Sequence, residues 1–139
     1  MNKKWIFIFC FALLSRPIFA ETCPSVYHIK HQTLRGFKMV DSNSDKPLET
    51  KRIALFRNKV KEFVLAEWTT TSSHKNGMIH CYYRDHDGSE LETYLVKEHF
   101  TPENSNNFWY SVSGAMHCAA GLNNCTFQPD VSQKQLAKN

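Results

Sequence analysis

The number and placement of the cysteines constrain this chain more than any other feature of its sequence. The 139-residue chain has five cysteines, and the first, Cys10, lies in the apolar stretch Ile6–Leu14. Two lysines precede this stretch and the small residue Ala20 follows it, which is the pattern of a signal peptide. We therefore predict that residues 1–20 are a signal peptide, cleaved after Ala20. The remaining chain has an even number of cysteines, as expected of a disulfide-bonded protein in an oxidising compartment: Cys23, Cys81, Cys118 and Cys125.

Four cysteines can form two disulfides in three ways. Cys118 and Cys125 flank a short segment that contains Gly121 and two asparagines, and these residues allow the chain to turn back on itself. The spacing therefore favours a local Cys118–Cys125 disulfide, which leaves Cys23 to pair with Cys81. The alternative pairing joins Cys81 to Cys118.

A metal site is a second interpretation of these cysteines, because histidines accompany them. His28 and His31 have a ligand-like spacing, and His80 and His117 each precede a cysteine. However, adjacent residues of a strand point to opposite faces of a sheet, and the sequence has no C-x-x-C pair of the kind found in zinc sites. We therefore expect no metal ligands and no cofactor.

Removal of the signal peptide also changes the charge of the protein. The full chain has 17 basic and 13 acidic residues, and the loss of Lys3, Lys4 and Arg16 leaves a net charge of +1. A nearly neutral domain lacks the positive charge with which proteins bind nucleic acids or anionic membranes. The apolar stretch is too short to remain as a membrane anchor, which takes about twenty residues. We expect a periplasmic or secreted protein whose partner is another protein or a small ligand.

Two patterns in the middle of the chain predict a helix followed by a β-hairpin. Ile53, Phe56 and Val60 recur at helical spacing, which predicts an amphipathic helix over residues 48–61. Residues typical of strands then follow over 62–73 and 78–85, joined by a two-residue Asn76-Gly77 turn. This turn places Ser72 opposite Cys81, and alternation predicts a core face made of Val64, Ala66, Trp68, Ile79, Cys81 and Tyr83.

A third strand extends the hairpin into an antiparallel meander. A three-residue loop, His86–Gly88, sets Arg84 opposite Glu90 and directs the next apolar residues toward the core, and a further strand is predicted over 108–113. The expected fold is α+β: a disulfide-stabilised antiparallel meander of three to five strands with one main helix packed on one face. It forms a single domain over residues 21–128, and residues 129–139, which lack apolar periodicity, are expected to be a disordered tail.

Three residues on consecutive predicted strands suggest one enzymatic alternative. The order of Glu67, Arg84 and His99 resembles the order of base, phosphate clamp and acid in the small secreted guanyl-preferring ribonucleases of bacteria. The resemblance covers only these three residues, and His99 lacks the Asp-His-Tyr context of that class. The resemblance implies metal-independent cleavage of RNA. The predicted register places Glu67 and Arg84 as diagonal neighbours on the polar face but directs His99 toward the core, so we assign no catalytic residue.

Aromatic residues offer a different kind of site. Tyr82, Tyr94 and Trp109 could together form a ligand-binding patch on the sheet, although alternation sends Trp109 to one face and its two aromatic neighbours to the other. The sequence has no motif of a serine hydrolase or of a phosphate-binding loop. We therefore expect a non-enzymatic binding or interaction protein, with a secreted effector or enzyme inhibitor as a further alternative.

Several short motifs resemble those of a group of small exported bacterial proteins of uncharacterised function. The resemblance covers most of the chain after the signal peptide. It implies a periplasmic or secreted domain of about this size and assigns no catalytic residue. The matching segments are Cys23–Ser25, Phe63–Trp68, His80–Tyr83, Trp109–Tyr110 and His117–Gly121.

Overall fold

The computed structural model describes residues 19–71 and 76–130, apart from the side chain of Glu90. The predicted signal peptide falls almost entirely on residues 1–18, and most of the predicted tail falls on residues 131–139, so both lie outside the described residues. The first two residues of that tail belong to the fold, since Pro129 ends the last strand and the Asp130 N–H donates to the His99 carbonyl at 2.9 Å.

Within the described residues the chain forms two α-helices, one 3₁₀ turn at Leu122–Asn124 and eight strands. The six-stranded main sheet has the order β1-β4-β3-β2-β7-β6, and β5 pairs with β8 in a separate ribbon. All strand pairs are antiparallel, which confirms the predicted α+β class. The elements are α1 Val26–Lys30, β1 Lys38–Asp41, α2 Thr50–Lys59, β2 Glu62–Thr69, β3 Met78–Arg84, β4 Glu90–Glu98, β5 Phe100–Pro102, β6 Tyr110–Val112, β7 Ala115–Cys118 and β8 Phe127–Pro129.

The predicted Asn76-Gly77 hairpin turn is wrong. Strands β2 and β3 pair Ala66 with Cys81, whereas the two-residue turn requires Ser72 opposite Cys81, so the register differs by six residues. Because the difference is an even number, the side chains from Leu65 to Trp68 and from Ile79 to Tyr83 keep their predicted faces. Gly77 has a different role: its φ is +72°, its carbonyl accepts the His99 N–H, and its lack of a Cβ makes room for the Trp68 ring.

The next turn follows the prediction. Strands β3 and β4 pair Arg84 with Glu90, and the loop between them closes through a hydrogen bond from Asp85 N to the Ser89 carbonyl. Gly88 within this loop has a φ of +78°, a conformation that costs glycine little. The chain then directs alternate side chains inward, so that Thr93 and Leu95 are buried.

One core residue differs from the prediction because of a bulge. The register of β2 and β3 shifts between Phe63 and Leu65, so that Phe63 rather than Val64 lies opposite Tyr83. The Phe63 and Tyr83 rings pack edge to face with centroids 5.9 Å apart. Phe56 of α2 contacts the same Tyr83 ring at 6.2 Å, which places the main helix on the core face of the sheet as expected.

Two disulfides brace this core, and they join the pairs that the spacing favours. Cys23–Cys81 connects the segment before α1 to the central strand β3, and Cys118–Cys125 closes a local loop after β7. All four cysteines are at most 1% exposed. Neither described helix is long and apolar enough to cross a membrane.

Candidate functional site

The structure does not bring together the three residues of the ribonuclease alternative. Arg84 lies at the end of β3 and forms an ion pair with Glu62, with Nε 2.8 Å from Oε2. His99 lies beyond the opposite end of the sheet, between β4 and β5, at a φ of +67°. Glu67 pairs with His80 in the middle, and four residues of extended strand place Arg84 about 13 Å from His80. The predicted diagonal contact between Glu67 and Arg84 is therefore wrong.

A different set of residues surrounds Glu67. One row of side chains crosses all six strands on the face opposite α2, and a second row runs beside it. We call this surface the open face, because its residues lie outside the core cluster, although Val40, at the edge where it pairs with Pro47, is buried. The first row is Lys38, Val96, His80, Glu67, His117 and Tyr110; the second is Val40, Tyr94, Tyr82 and Leu65.

Glu67 is the centre of the open face. Its Oε1 accepts hydrogen bonds from His80 Nδ1 and from the Tyr82 hydroxyl, each at 3.3 Å. Its Oε2 accepts a shorter one from His117 Nε2 at 2.8 Å. The side chains of Glu67, His80 and His117 are 22%, 14% and 20% exposed, so all three are largely buried but keep some contact with solvent.

The electrostatics of the cluster favour an ionised carboxylate. Burial acts to raise the pKa of Glu67, but the hydrogen bonds from His117 and His80 outweigh it and lower that pKa below the ordinary 4.5. Burial, and then the adjacent Glu67 charge, raise the pKa of Tyr82, so its hydroxyl remains a donor. A carboxylate that only accepts hydrogen bonds requires each of its partners to present a hydrogen.

This requirement fixes the orientation of both imidazoles. The His80 Nδ1 and His117 Nε2 atoms carry the hydrogens that point at Glu67. Within the described part of the chain, the opposite nitrogens, His80 Nε2 and His117 Nδ1, have no hydrogen-bond partner. In a neutral imidazole the nitrogen that does not carry the hydrogen is an acceptor.

Tyrosines surround this polar centre. The Tyr82 and Tyr94 rings lie 5.8 Å apart, and Tyr94 also contacts the His80 ring at 5.0 Å. The Tyr94 hydroxyl donates to Asp45 Oδ1 at 2.9 Å, and burial together with this contact raises the pKa of Tyr94 to about 12. On the other side, the half-exposed Tyr110 packs edge to face against His117.

Trp109 does not belong to this surface. The structure brings Tyr82 and Tyr94 together, as the predicted patch requires, but Trp109 is 7% exposed and its Nε1 donates to the Thr126 carbonyl at 2.8 Å. Alternation along the chain explains the difference, since its neighbours Phe108 and Tyr110 point outward and are each about half exposed.

Sequence reasoning identified part of the site. The alternation of β2 and β3 already assigns Glu67, His80 and Tyr82 to one polar face, but the predicted register does not place Glu67 opposite His80 as the structure does, so only the shared face could be predicted. The contact with His117 could not be predicted, because β7 pairs with β2 across fifty residues of chain and no local sequence pattern indicates that pairing.

A second candidate site, a cleft near the start of the fold, has fewer interacting polar groups than the open face. A cleft of about 150 Å³ lies near the start of the fold and contains Ser25, His28 and Arg35. The Ser25 hydroxyl contacts His28 Nδ1 at 2.7 Å while capping the five-residue helix α1, and His31 donates from Nδ1 to the Tyr27 carbonyl. Among the described residues, no group of three or more His, Cys, Asp and Glu side chains has the arrangement of a metal site.

Comparisons with protein-family models, with curated proteins and with solved structures found no match to this chain.

Proposed function

We propose that this protein is an exported, disulfide-bonded domain that binds a ligand on the open face of its main sheet. The proposal depends on one observation: an ionised Glu67, held by two histidines and a tyrosine, lies at the centre of a sheet face that the helices leave uncovered. The helices of the fold pack on the other face, where they complete the core.

The energetic argument favours a binding role for this cluster. A carboxylate that is withdrawn from water loses solvation, and hydrogen bonds must compensate for that loss. A sheet face that contacts only solvent could carry separate, fully exposed polar residues and would avoid this desolvation cost. Perturbed titratable groups that share one surface are more often found at functional sites, and here tyrosine rings add apolar contact area around the charge.

The export signal and the disulfides support a location in the periplasm or outside the cell. Two disulfides persist in oxidising compartments, and residues 1–20 have the pattern of a cleaved signal peptide. The resemblance to small exported bacterial proteins agrees with this location. The non-enzymatic interpretation is retained because Arg84 and His99, which the ribonuclease alternative requires, lie at opposite ends of the sheet.

Fragment mapping by nuclear magnetic resonance tests the proposal. The oxidised, ¹⁵N-labelled protein would be titrated with a library of neutral, anionic and cationic fragments, and amide shift changes would be mapped by residue. We expect the changes to concentrate on Glu67, His80, Tyr82 and His117. Substitution Glu67→Gln should reduce them, whereas Glu62→Gln, on the same strand but paired with Arg84, should not. Binding confined to the cleft beside Ser25, or none on the open face, would contradict the proposal.

A further inference from the structure

We propose that the open face binds a guanidinium group, as in an arginine side chain of a peptide or protein partner. This inference rests on the proposed function, because it specifies the ligand of the same surface. Three independent features of the open face support it: its pattern of hydrogen-bond acceptors, its charge and its aromatic rings.

The acceptors come from the way Glu67 orders its neighbours. Since His80 and His117 both give a hydrogen to Glu67, the second nitrogen of each ring presents a lone pair when the imidazole is neutral. The carboxylate oxygens themselves retain acceptor capacity, because two oxygens offer about four lone-pair positions and receive three hydrogen bonds here. A ligand rich in N–H donors and without acceptors is therefore complementary to this centre, and guanidinium has five such donors in one plane.

The charge of the surface has the matching sign. Glu67 is ionised at the centre of the first row, and the Asp45 carboxylate borders the face where it accepts the Tyr94 hydroxyl. Lys38, the lysine among the residues of the open face, is separated from Glu67 by β4 and β3, a distance of about 14 Å at the usual strand spacing.

The rings favour guanidinium over a compact ammonium. Tyr82, Tyr94 and Tyr110 surround the polar centre, and Tyr110 offers a half-exposed ring. A guanidinium group can stack on an aromatic ring while its edge donates hydrogen bonds. A lysine ammonium is more strongly hydrated and cannot make both contacts in one plane.

A matched pair of ligands tests the inference. N-acetyl-arginine amide and N-acetyl-citrulline amide differ only in the terminal group, where the carbonyl oxygen of citrulline replaces one NH2 of the guanidinium. The positive charge and two donors are lost and an acceptor is gained, so the pair isolates guanidinium recognition. In titrations of the wild-type protein at pH 7.5, we expect the arginine compound to shift the Glu67, His80 and His117 amides and to bind about tenfold or more tightly than citrulline, as charged hydrogen bonds allow. This comparison needs no variant and stays decisive if a substitution impairs folding.

Two variants provide the second arm of the test. Glu67→Gln should weaken arginine binding about tenfold, and Glu62→Gln should leave it unchanged.

The outcomes separate this inference from the proposed function. Equal affinity for arginine and citrulline on the open face, or preference of that face for an anionic fragment, would overturn the guanidinium inference and leave the open face as the binding site. Absence of any ligand-induced change on the open face would overturn both.

Discussion

The two disulfides should contribute unequally to stability, and the structure allows the difference to be calculated. Cys23–Cys81 joins residues 58 positions apart, whereas Cys118–Cys125 joins residues 7 positions apart. All four cysteines are nearly inaccessible to water, so alanine substitutions remove similar buried atoms from both pairs. The double variants Cys23→Ala/Cys81→Ala and Cys118→Ala/Cys125→Ala therefore form a matched comparison of loop length.

The chain-entropy relation gives the magnitude. Cross-linking restricts the unfolded chain by an amount that grows with the logarithm of the loop length. Using the two separations, 58 and 7 residues, as loop lengths, it assigns about 4.2 kcal/mol to Cys23–Cys81 and about 2.3 kcal/mol to Cys118–Cys125 at 25 °C. The expected difference between the double variants is then about 1.9 kcal/mol, and the variant without the long-range disulfide should be the less stable.

Urea unfolding of the two double variants, followed by circular dichroism and by tryptophan fluorescence, measures this difference. Coincident transitions by both probes would establish two-state behaviour, and the midpoint and slope give the free energy of unfolding. Equal losses, or a larger loss from the Cys118–Cys125 variant, would refute the assumption that loop closure in the unfolded chain determines the contribution of each disulfide.

Three further substitutions test the packing and the site. Gly77→Ala should destabilise the protein by about 1–3 kcal/mol more than Gly88→Ala, because both glycines have positive φ but only the first would place a Cβ against the Trp68 ring; equal losses in thermal unfolding would contradict this. Tyr83→Phe should cost about 1–3 kcal/mol in urea unfolding, since the buried hydroxyl donates to the Pro24 carbonyl at 2.5 Å, and an unchanged midpoint would be the contrary result. Glu67→Gln should destabilise the protein at pH 7 but much less at pH 3: the folded pKa of Glu67 lies below the ordinary 4.5, so its contribution is present above that value and disappears as pH falls through the folded pKa. Urea unfolding of the wild type and the variant at both pH values measures this loss of stability, and an equal loss at pH 7 and pH 3 would refute the prediction.

The hairpin shows why faces are easier to predict than registers. Alternation along β2 and β3 fixes which side chains share a face, since apolar residues must meet the core. The turn sequence was the only guide to the pairing, and Asn76-Gly77 pointed to a tight turn that the chain does not form there. In the structure Gly77 instead accommodates the Trp68 side chain, whose Nε1 donates to the Phe100 carbonyl. The packing of Trp68 therefore determines the role of Gly77, although the Asn-Gly sequence by itself favours a tight turn.

The elements at the edges of the main sheet were also hard to predict for a physical reason. Strand β1 has four residues and β6 has three, so neither is long enough to show alternation clearly. The prediction of a strand over 108–113 was nevertheless correct in position, because the alternation of three consecutive aromatic residues holds in the structure: Trp109 is buried and its two neighbours are half exposed.

Some residues of the candidate site could be predicted from the sequence and one could not, and the order of the strands in the sheet explains the difference. Glu67, His80 and Tyr82 come from two strands that are adjacent in sequence, so alternation places them on one face even when the register is wrong by six residues. His117 reaches Glu67 only because β7 adds to the far side of β2, and that pairing is reinforced by Cys118–Cys125, which ties the end of β7 to the following loop. Because adjacent residues of a strand point to opposite faces, Cys118 faces the core and His117 faces Glu67 on the open face. The cysteine that stabilises the fold and the histidine that completes the candidate site are therefore adjacent in sequence for one reason: they occupy the two faces of the same strand.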